Sequence, residues 1–254
     1  MSGELPPRVE LFGSVTVSLV QAIPEVERRV SKPITLVGGL AVLSRLGSAA
    51  HRVTTDVDTV DLRGRGERGQ LRVLLDSGAR EIDGAGAIVE TPTGEVRVDV
   101  LEIGEQELAD PPSDPTDRLY VLSHDWAMRT ATPILVRAVY TDVAVEHAVR
   151  VAEPGPLIAT KLQALPNRAS AKESTDLLDI VRLTLDEVTG VAVRAQLAEA
   201  GAQLKDDAAL HVQKWLGKDA ARSLRKVRNT PAGAGMNLDT LVLTGELLLA
   251  SLSR

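Results

Sequence analysis

The feature that most limits how this chain can fold is a change of apolar periodicity near residue 153. Upstream of it, short runs with period 2 alternate with runs of helical spacing; downstream, from Pro154-Gly155-Pro156 on, helical spacing alone remains. The upstream half reads as a helical lead-in over 9–30 broken near Pro24, then a β-branched strand over 34–37 that ends at Gly38-Gly39. A helix over 40–46 stops at Gly47, and a strand follows over 55–62. A helix over 68–75, strands over 80–83 and 87–90, and an alternating strand over 95–103 come next. In that last strand Val96, Val98 and Val100 share one face, and Arg97, Asp99 and Leu101 share the other, which should be wet. Residues 104–116 read as a loop, 117–128 as a helix, and 134–140 with 143–151 as a hairpin. Helices are expected over 157–165, 175–185, 191–197, 208–224 and 238–252, with 231–235 as a linker. The expectation is an α+β chain: a sheet domain with flanking helices at 1–153 and an all-helical domain at 154–254.

Composition narrows the chemistry. Of 254 residues only five are aromatic (Phe12, Tyr120, Trp126, Tyr140, Trp215), so a platform of stacked rings for single-stranded RNA is excluded. Cysteine is absent, which removes disulfides, thiolate zinc sites and cysteine nucleophiles. The histidines, 51, 124, 147 and 211, are too scattered to form a local ligand pair. A net charge of −6 argues against coating of nucleic acid by bulk electrostatics and leaves room for a local basic patch. No run approaches the roughly 18 apolar residues of a membrane span, and Met1 to Glu10 lacks the basic and apolar segments of a leader. A soluble, intracellular protein is the expectation.

The most informative residues are carboxylates. Asp56 and Asp58 stand at i and i+2 of a strand, so both side chains leave the same face, roughly 6 to 7 Å apart along it. Two like charges in that position are tolerated when a cation lies between them, and oxygen ligands suit Mg²⁺. Asp99 sits mid-strand between Val98 and Val100; if its strand neighbours the first, three carboxylates converge, enough to hold two metal ions against a nucleotide phosphate. Gly38 and Gly39, at a strand-to-helix turn, would let backbone N–H groups approach phosphates. Singly, an Asp-x-Asp on a strand is more often a solvated edge, a Gly-Gly pair a turn, and an acid between valines a wet face. Their order, glycine turn, helix, Asp-x-Asp strand and single-Asp strand, is what distinguishes them.

That order resembles the nucleotidyltransferase fold of the DNA polymerase β superfamily. Gly38-Gly-Leu-Ala-Val-Leu-Ser-Arg-Leu-Gly47 with Arg52-Val-Thr-Thr-Asp-Val-Asp58 is similar to the AbiEii/AbiGii toxins, to which the mycobacterial MenT toxins are related. In the helical half, Leu157-Ile-Ala-Thr-Lys-Leu-Gln-Ala-Leu165, then Arg168, Lys172 and Asp176-Leu, resembles that group's later motif. The resemblance covers about residues 34–180. It implies a mixed-sheet nucleotidyltransferase domain and a cytoplasmic, Mg²⁺-dependent enzyme of a toxin–antitoxin system. Such an enzyme moves a nucleoside monophosphate from an NTP to an RNA 3′ end, tRNA foremost, and releases pyrophosphate. It further implies that Lys161 contacts the phosphates and that Asp176 orients Lys161 or helps activate the hydroxyl. Two positions depart from the pattern. Leu40 stands where many members carry Ser or Thr, which shifts the triphosphate grip to backbone groups and Ser44 or Arg45, and Glu173 stands where an Asp is common. Without the resemblance, Lys161 reads as a snorkelling helix lysine and Asp176 as a first-turn acid.

The segment 211–228 holds Lys214, Lys218, Arg222, Arg225, Lys226 and Arg228 against one acid, Asp219. On one helix, 214, 218, 222 and 225 fall at i, i+4, i+8 and i+11 and form a basic face. Charged faces are usually just solvated, but in an acidic protein this one suits a polyanion, either a tRNA acceptor end or an acidic partner such as a cognate antitoxin. Two alternatives stay open: transfer to a small-molecule or protein hydroxyl, and a non-catalytic nucleotide- or partner-binding module.

Overall fold

A computed structural model describes residues 5–47, 53–82, 86–167 and 170–254. His51, Arg52, Asp83 and Arg168, all named above, lie outside the described residues. Among the described residues, eight strands form a single mixed sheet, and the chain divides into two units. The sheet and its helices make up unit 1, whose described residues are 5–47, 53–82, 86–109 and 127–153. Unit 2 is helical in its described residues, 110–126, 154–167 and 170–254.

Unit 1 opens with β1 (Arg8–Phe12), where Val9 and Leu11 are buried between more exposed neighbours, the pattern of a strand with one covered face. The expected lead-in helix is therefore a strand followed by α1 (Ser14–Val30), separated by Gly13 at φ 122°. Pro24 does not break α1. It lies on the exposed side of the helix, where water can satisfy the carbonyl one turn earlier that loses its N–H partner. β2 (Thr35–Val37) is wholly buried and runs straight into α2 (Gly38–Leu46), which Gly47 ends. β3 (Asp56–Arg63), α3 (Gln70–Asp76), β4 (Arg80–Ile82), β5 (Gly86–Thr91) and β6 (Gly94–Gly104) follow. The expected loop after β6 contains a short helix, α4 (Glu105–Ala109), and the Gly104 N–H donates to the Glu107 carboxylate at 2.7 Å. α5 (Pro115–Thr130) leads to the hairpin of β7 (Thr132–Tyr140) and β8 (Val143–Val151).

The strand order is β1-β7-β8-β2-β3-β6-β5-β4. β2 is antiparallel to β3 and parallel to β8, while β3 and β6 are parallel. β3 and β6 are thus interior strands. This explains why β6 lacks the expected wet face over its second half: Val98, Asp99, Val100 and Ile103 are all buried.

Unit 2 contains α6 (Pro154–Ala164), α7 (Ser170–Leu185), α8 (Thr189–Glu199), α9 (Ala202–Val212), α10 (Ala220–Arg228) and α11 (Leu238–Leu252). Pro154 and Pro156 begin α6 instead of preceding it, because proline is tolerated in a helix's first turn. α6 is buried along almost its whole length and packs on α7, α8 and α9. The helix expected over 208–224 is interrupted: α9 passes into a π-helical turn over Gln213–Lys218, where the Asp219 N–H reaches the Lys214 carbonyl five residues back at 2.8 Å. Pro231–Gly233, expected as linker, forms a 3₁₀ turn with a buried glycine. Residues Asp110–Trp126, which sequence order places in the first domain, belong to unit 2. There the Arg118 guanidinium donates twice, at 2.8 Å each, to the buried Asp207 carboxylate of α9, a two-pronged contact that single-strand or single-helix patterning does not announce.

Candidate metal centre

Parallel pairing of β3 with β6 sets Asp58 directly opposite Asp99 and Asp56 opposite Arg97, while β2 places Val37 on the other side of Asp58. Residues two apart on a strand share a face, so Asp56, Asp58, Arg97 and Asp99 all project from one side of the sheet. One oxygen from each carboxylate lies within 4.8 Å of the other two. Asp58 and Asp99 are 9% and 8% exposed, and Asp56 is half-buried.

Glycines make room for this. Gly38 has φ 66°, a left-handed conformation strained for any other residue, and a Cβ there would overlap the Asp58 carboxylate. A Cβ on Gly86 of β5 would lie 2.6 Å from Asp99 Oδ1. Both carboxylates are walled by bare backbone. Gly38 and Gly39 also begin α2, which has no side chain capping its first turn.

Thr54 and Arg97 also reach the cluster. Thr54 Oγ1 donates to Asp56 Oδ1 at 3.2 Å, and Arg97 Nε donates to Asp99 Oδ1 at 2.8 Å. The Asp99 hydrogen bond holds the Arg97 proton more tightly than usual, and attraction to Asp99, Asp56 and Asp58 adds to it against the cost of burial. Neither Arg97 nor Gly86 stands out in the sequence: Arg97 reads there as a wet-face residue. Its only signal is that it shares strand parity with Asp99.

Asp61 and Glu102, opposite each other three residues further along the same strands, point to the other face. They serve as caps: Asp61 accepts from the Gln70 N–H at 3.0 Å and Glu102 from the Leu71 N–H at 3.1 Å, at the start of α3. Lys32 pairs with Asp61 at 2.5 Å.

Ser44 and Arg45 are engaged inside unit 1. The buried Ser44 hydroxyl donates to the Leu40 carbonyl at 2.8 Å. Arg45 donates to the carbonyls of Val151 and Ala152 and to Thr132 and Glu153, tying α2 to the end of β8. Burial pushes the Arg45 guanidinium below its ordinary value, and Glu153 opposes that shift.

In unit 2, Lys161 and Asp176 do meet, with Nζ 2.5 Å from Asp176 Oδ1. Asp179, which does not stand out in the sequence, places Oδ2 2.9 Å from the same ammonium. The Lys161 side chain is only 6% exposed. Glu173, Asp176 and Asp179 lie three residues apart on α7 and are all buried; Glu173 pairs with Lys226. Lys226 therefore leaves the basic surface.

Lys214, Lys218, Arg222 and Arg225 are exposed, although the break at Asp219 means they do not line one straight helix. Lys214 Nζ and Arg222 Cζ approach the buried Trp215 ring, 4.8 and 5.6 Å from its centroid. No helix among the described residues is long and apolar enough to cross a membrane.

Searches against family models, curated proteins and solved structures find no match to this chain.

Proposed function

We propose that the protein is a Mg²⁺-dependent nucleotidyltransferase that moves a nucleoside monophosphate from an NTP to a hydroxyl of an RNA 3′ end, tRNA foremost, as the toxin of a toxin–antitoxin pair. The observation that carries the proposal is the meeting of Asp56, Asp58 and Asp99 on one face of β3 and β6, with Gly38 packed on the Asp58 carboxylate. Three hard oxygen donors within 4.8 Å fit divalent cations of the Mg²⁺ class, and the cluster's negative charge calls for them. Bound there, Mg²⁺ would polarise the α-phosphate and lower the pKa of the attacking hydroxyl.

The chain's own groups supply the rest. The uncapped N–H groups at Gly38 and Gly39 receive phosphate oxygens. The hydroxyl oxygen bonds to the α-phosphorus, the bond from that phosphorus to the oxygen bridging the β-phosphate breaks, and pyrophosphate leaves; the hydroxyl proton goes to a cluster carboxylate or to water. The RNA acceptor rests on the motif resemblance and on the exposed cations Lys214, Lys218, Arg222 and Arg225. Lys161 and Asp176 enter through the resemblance alone. Ser44 and Arg45 are left out, since their bonds hold α2 in place.

The test is incubation of the full chain with each labelled NTP, Mg²⁺ and total tRNA, beside Asp58→Asn and Asp99→Asn. Label on RNA that requires both aspartates, and that falls when Lys218 and Arg222 are changed to Glu, supports the whole reading. Label on a small molecule or protein instead, indifferent to those charge reversals, keeps the chemistry and replaces the acceptor. Absence of any transfer product with all four NTPs overturns the enzymatic reading.

A further inference from the structure

The carboxylate cluster carries its own cation. Arg97 lies on the same strand face as Asp99, opposite Asp56, and binds Asp99 Oδ1 through Nε at 2.8 Å. A guanidinium stays charged at every physiological pH, so it offsets part of the negative charge that a divalent ion would otherwise neutralise. Its bond engages Oδ1 of Asp99, one of the three carboxylates of the cluster. The arginine side chain is 44% exposed, so it is free to swing without unpacking the sheet.

We propose that Arg97 is a competing counter-cation: it occupies Asp99 in the free protein and holds down the affinity of the cluster for its first divalent ion. This rests on the metal-site reading of Asp56, Asp58 and Asp99. The physical basis is direct. An ion that coordinates Asp99 binds a carboxylate already engaged in a charge-assisted hydrogen bond, and does so beside a positive charge. A nucleotide reverses the balance, because its phosphates bring negative charge with the metal and offer the guanidinium two oxygens in the fork geometry it prefers. Metal is then held firmly only when it arrives with nucleotide. Arg97 acts as a positioning residue through Asp99 and the ion.

The experiment measures Mn²⁺ binding to the full chain without nucleotide, by the electron paramagnetic resonance of the free ion, for the parent, Arg97→Gln, Arg97→Lys and Asp58→Asn, with thermal unfolding as the check on folding. Arg97→Gln should bind Mn²⁺ about tenfold more tightly than the parent, the size expected for one unit charge acting on a divalent ion at short range in solvated surroundings. Arg97→Lys, which keeps the charge, should stay near the parent. Equal or weaker binding by a folded Arg97→Gln overturns the proposal and leaves Arg97 as a brace for the Asp99 rotamer. Failure of the underlying reading looks different: Asp58→Asn then binds Mn²⁺ as the parent does, or neither the parent nor Arg97→Gln binds it at all.

Discussion

Replacing Asp58 with Asn should make the metal-free protein more stable. Asp58 faces Asp99 across the β3–β6 pair and shares a strand face with Asp56, with oxygens of all three within 4.8 Å. A pair of unit charges at such a separation repels by about 0.9 kcal/mol in bulk water and about 3.5 kcal/mol at an effective dielectric constant near 20. Asp58 takes part in two such pairs, and the attraction of Arg97 offsets part of that repulsion. Asparagine has the same shape and no charge. With the cluster near the surface, the relief should be about 1 kcal/mol, which raises the melting temperature of a protein this size by about 2–4 °C. In Mg²⁺ the order reverses: at a concentration one hundred times the dissociation constant the parent gains about 2.7 kcal/mol, which the variant largely forgoes.

Calorimetry in EDTA and in Mg²⁺ reads both effects. Intrinsic tryptophan fluorescence does not suit, because Trp126 and Trp215 both belong to unit 2 whereas the carboxylates belong to unit 1. A lower melting temperature for Asp58→Asn in EDTA would refute the reasoning: the carboxylate would then be held by native hydrogen bonds worth more than the repulsion. Equal Mg²⁺ stabilisation of parent and variant would refute the site. A residue that costs stability until a ligand arrives is the pattern expected where function, not folding, retains it.

Two further outcomes follow from the same geometry. Lys161→Met leaves Asp176 and Asp179 buried without their shared cation, so unit 2 should lose about 3–5 kcal/mol in urea unfolding followed by tryptophan fluorescence, and adding Asp176→Leu and Asp179→Leu should recover most of it. If Lys161→Met instead keeps its stability and abolishes nucleotidyl transfer, the lysine contacts phosphate as the motif resemblance implies. Gly38→Ala should cost about 2 kcal/mol or more, since it combines a positive φ with overlap on Asp58, and the displaced carboxylate should weaken Mn²⁺ binding together with chemical stability; an unchanged urea midpoint would show that the turn is not constrained as described.

Local patterning made much of the chain legible. Period-2 alternation marks β6, a β-branched run marks β2, and glycines mark both ends of α2, because these signals depend only on which way successive side chains point. The same rule places Asp56 and Asp58 on one face without reference to the rest of the molecule. It misleads where neighbours decide. The first strand reads as part of a helix because five residues paired to a segment more than a hundred positions away carry too short a pattern to compete with the seventeen-residue helix beside them. The basic helix reads as continuous because a six-residue π segment is too short to disturb the helical period on either side of it.

By itself, then, the sequence determined the α+β character, the identity of the three carboxylates and the shared face of two of them. Only the tertiary structure decided that β3 and β6 are neighbours and that their register sets Asp58 against Asp99. It alone showed that Arg97 is a cation beside them, that Asp179 shares Lys161, and that Asp110–Trp126 belongs with unit 2. The division has one physical cause. Side-chain direction along a strand or helix is a local property of the backbone, whereas pairing partner, register and charge neutralisation depend on contacts between residues tens of positions apart, which a periodic pattern does not encode.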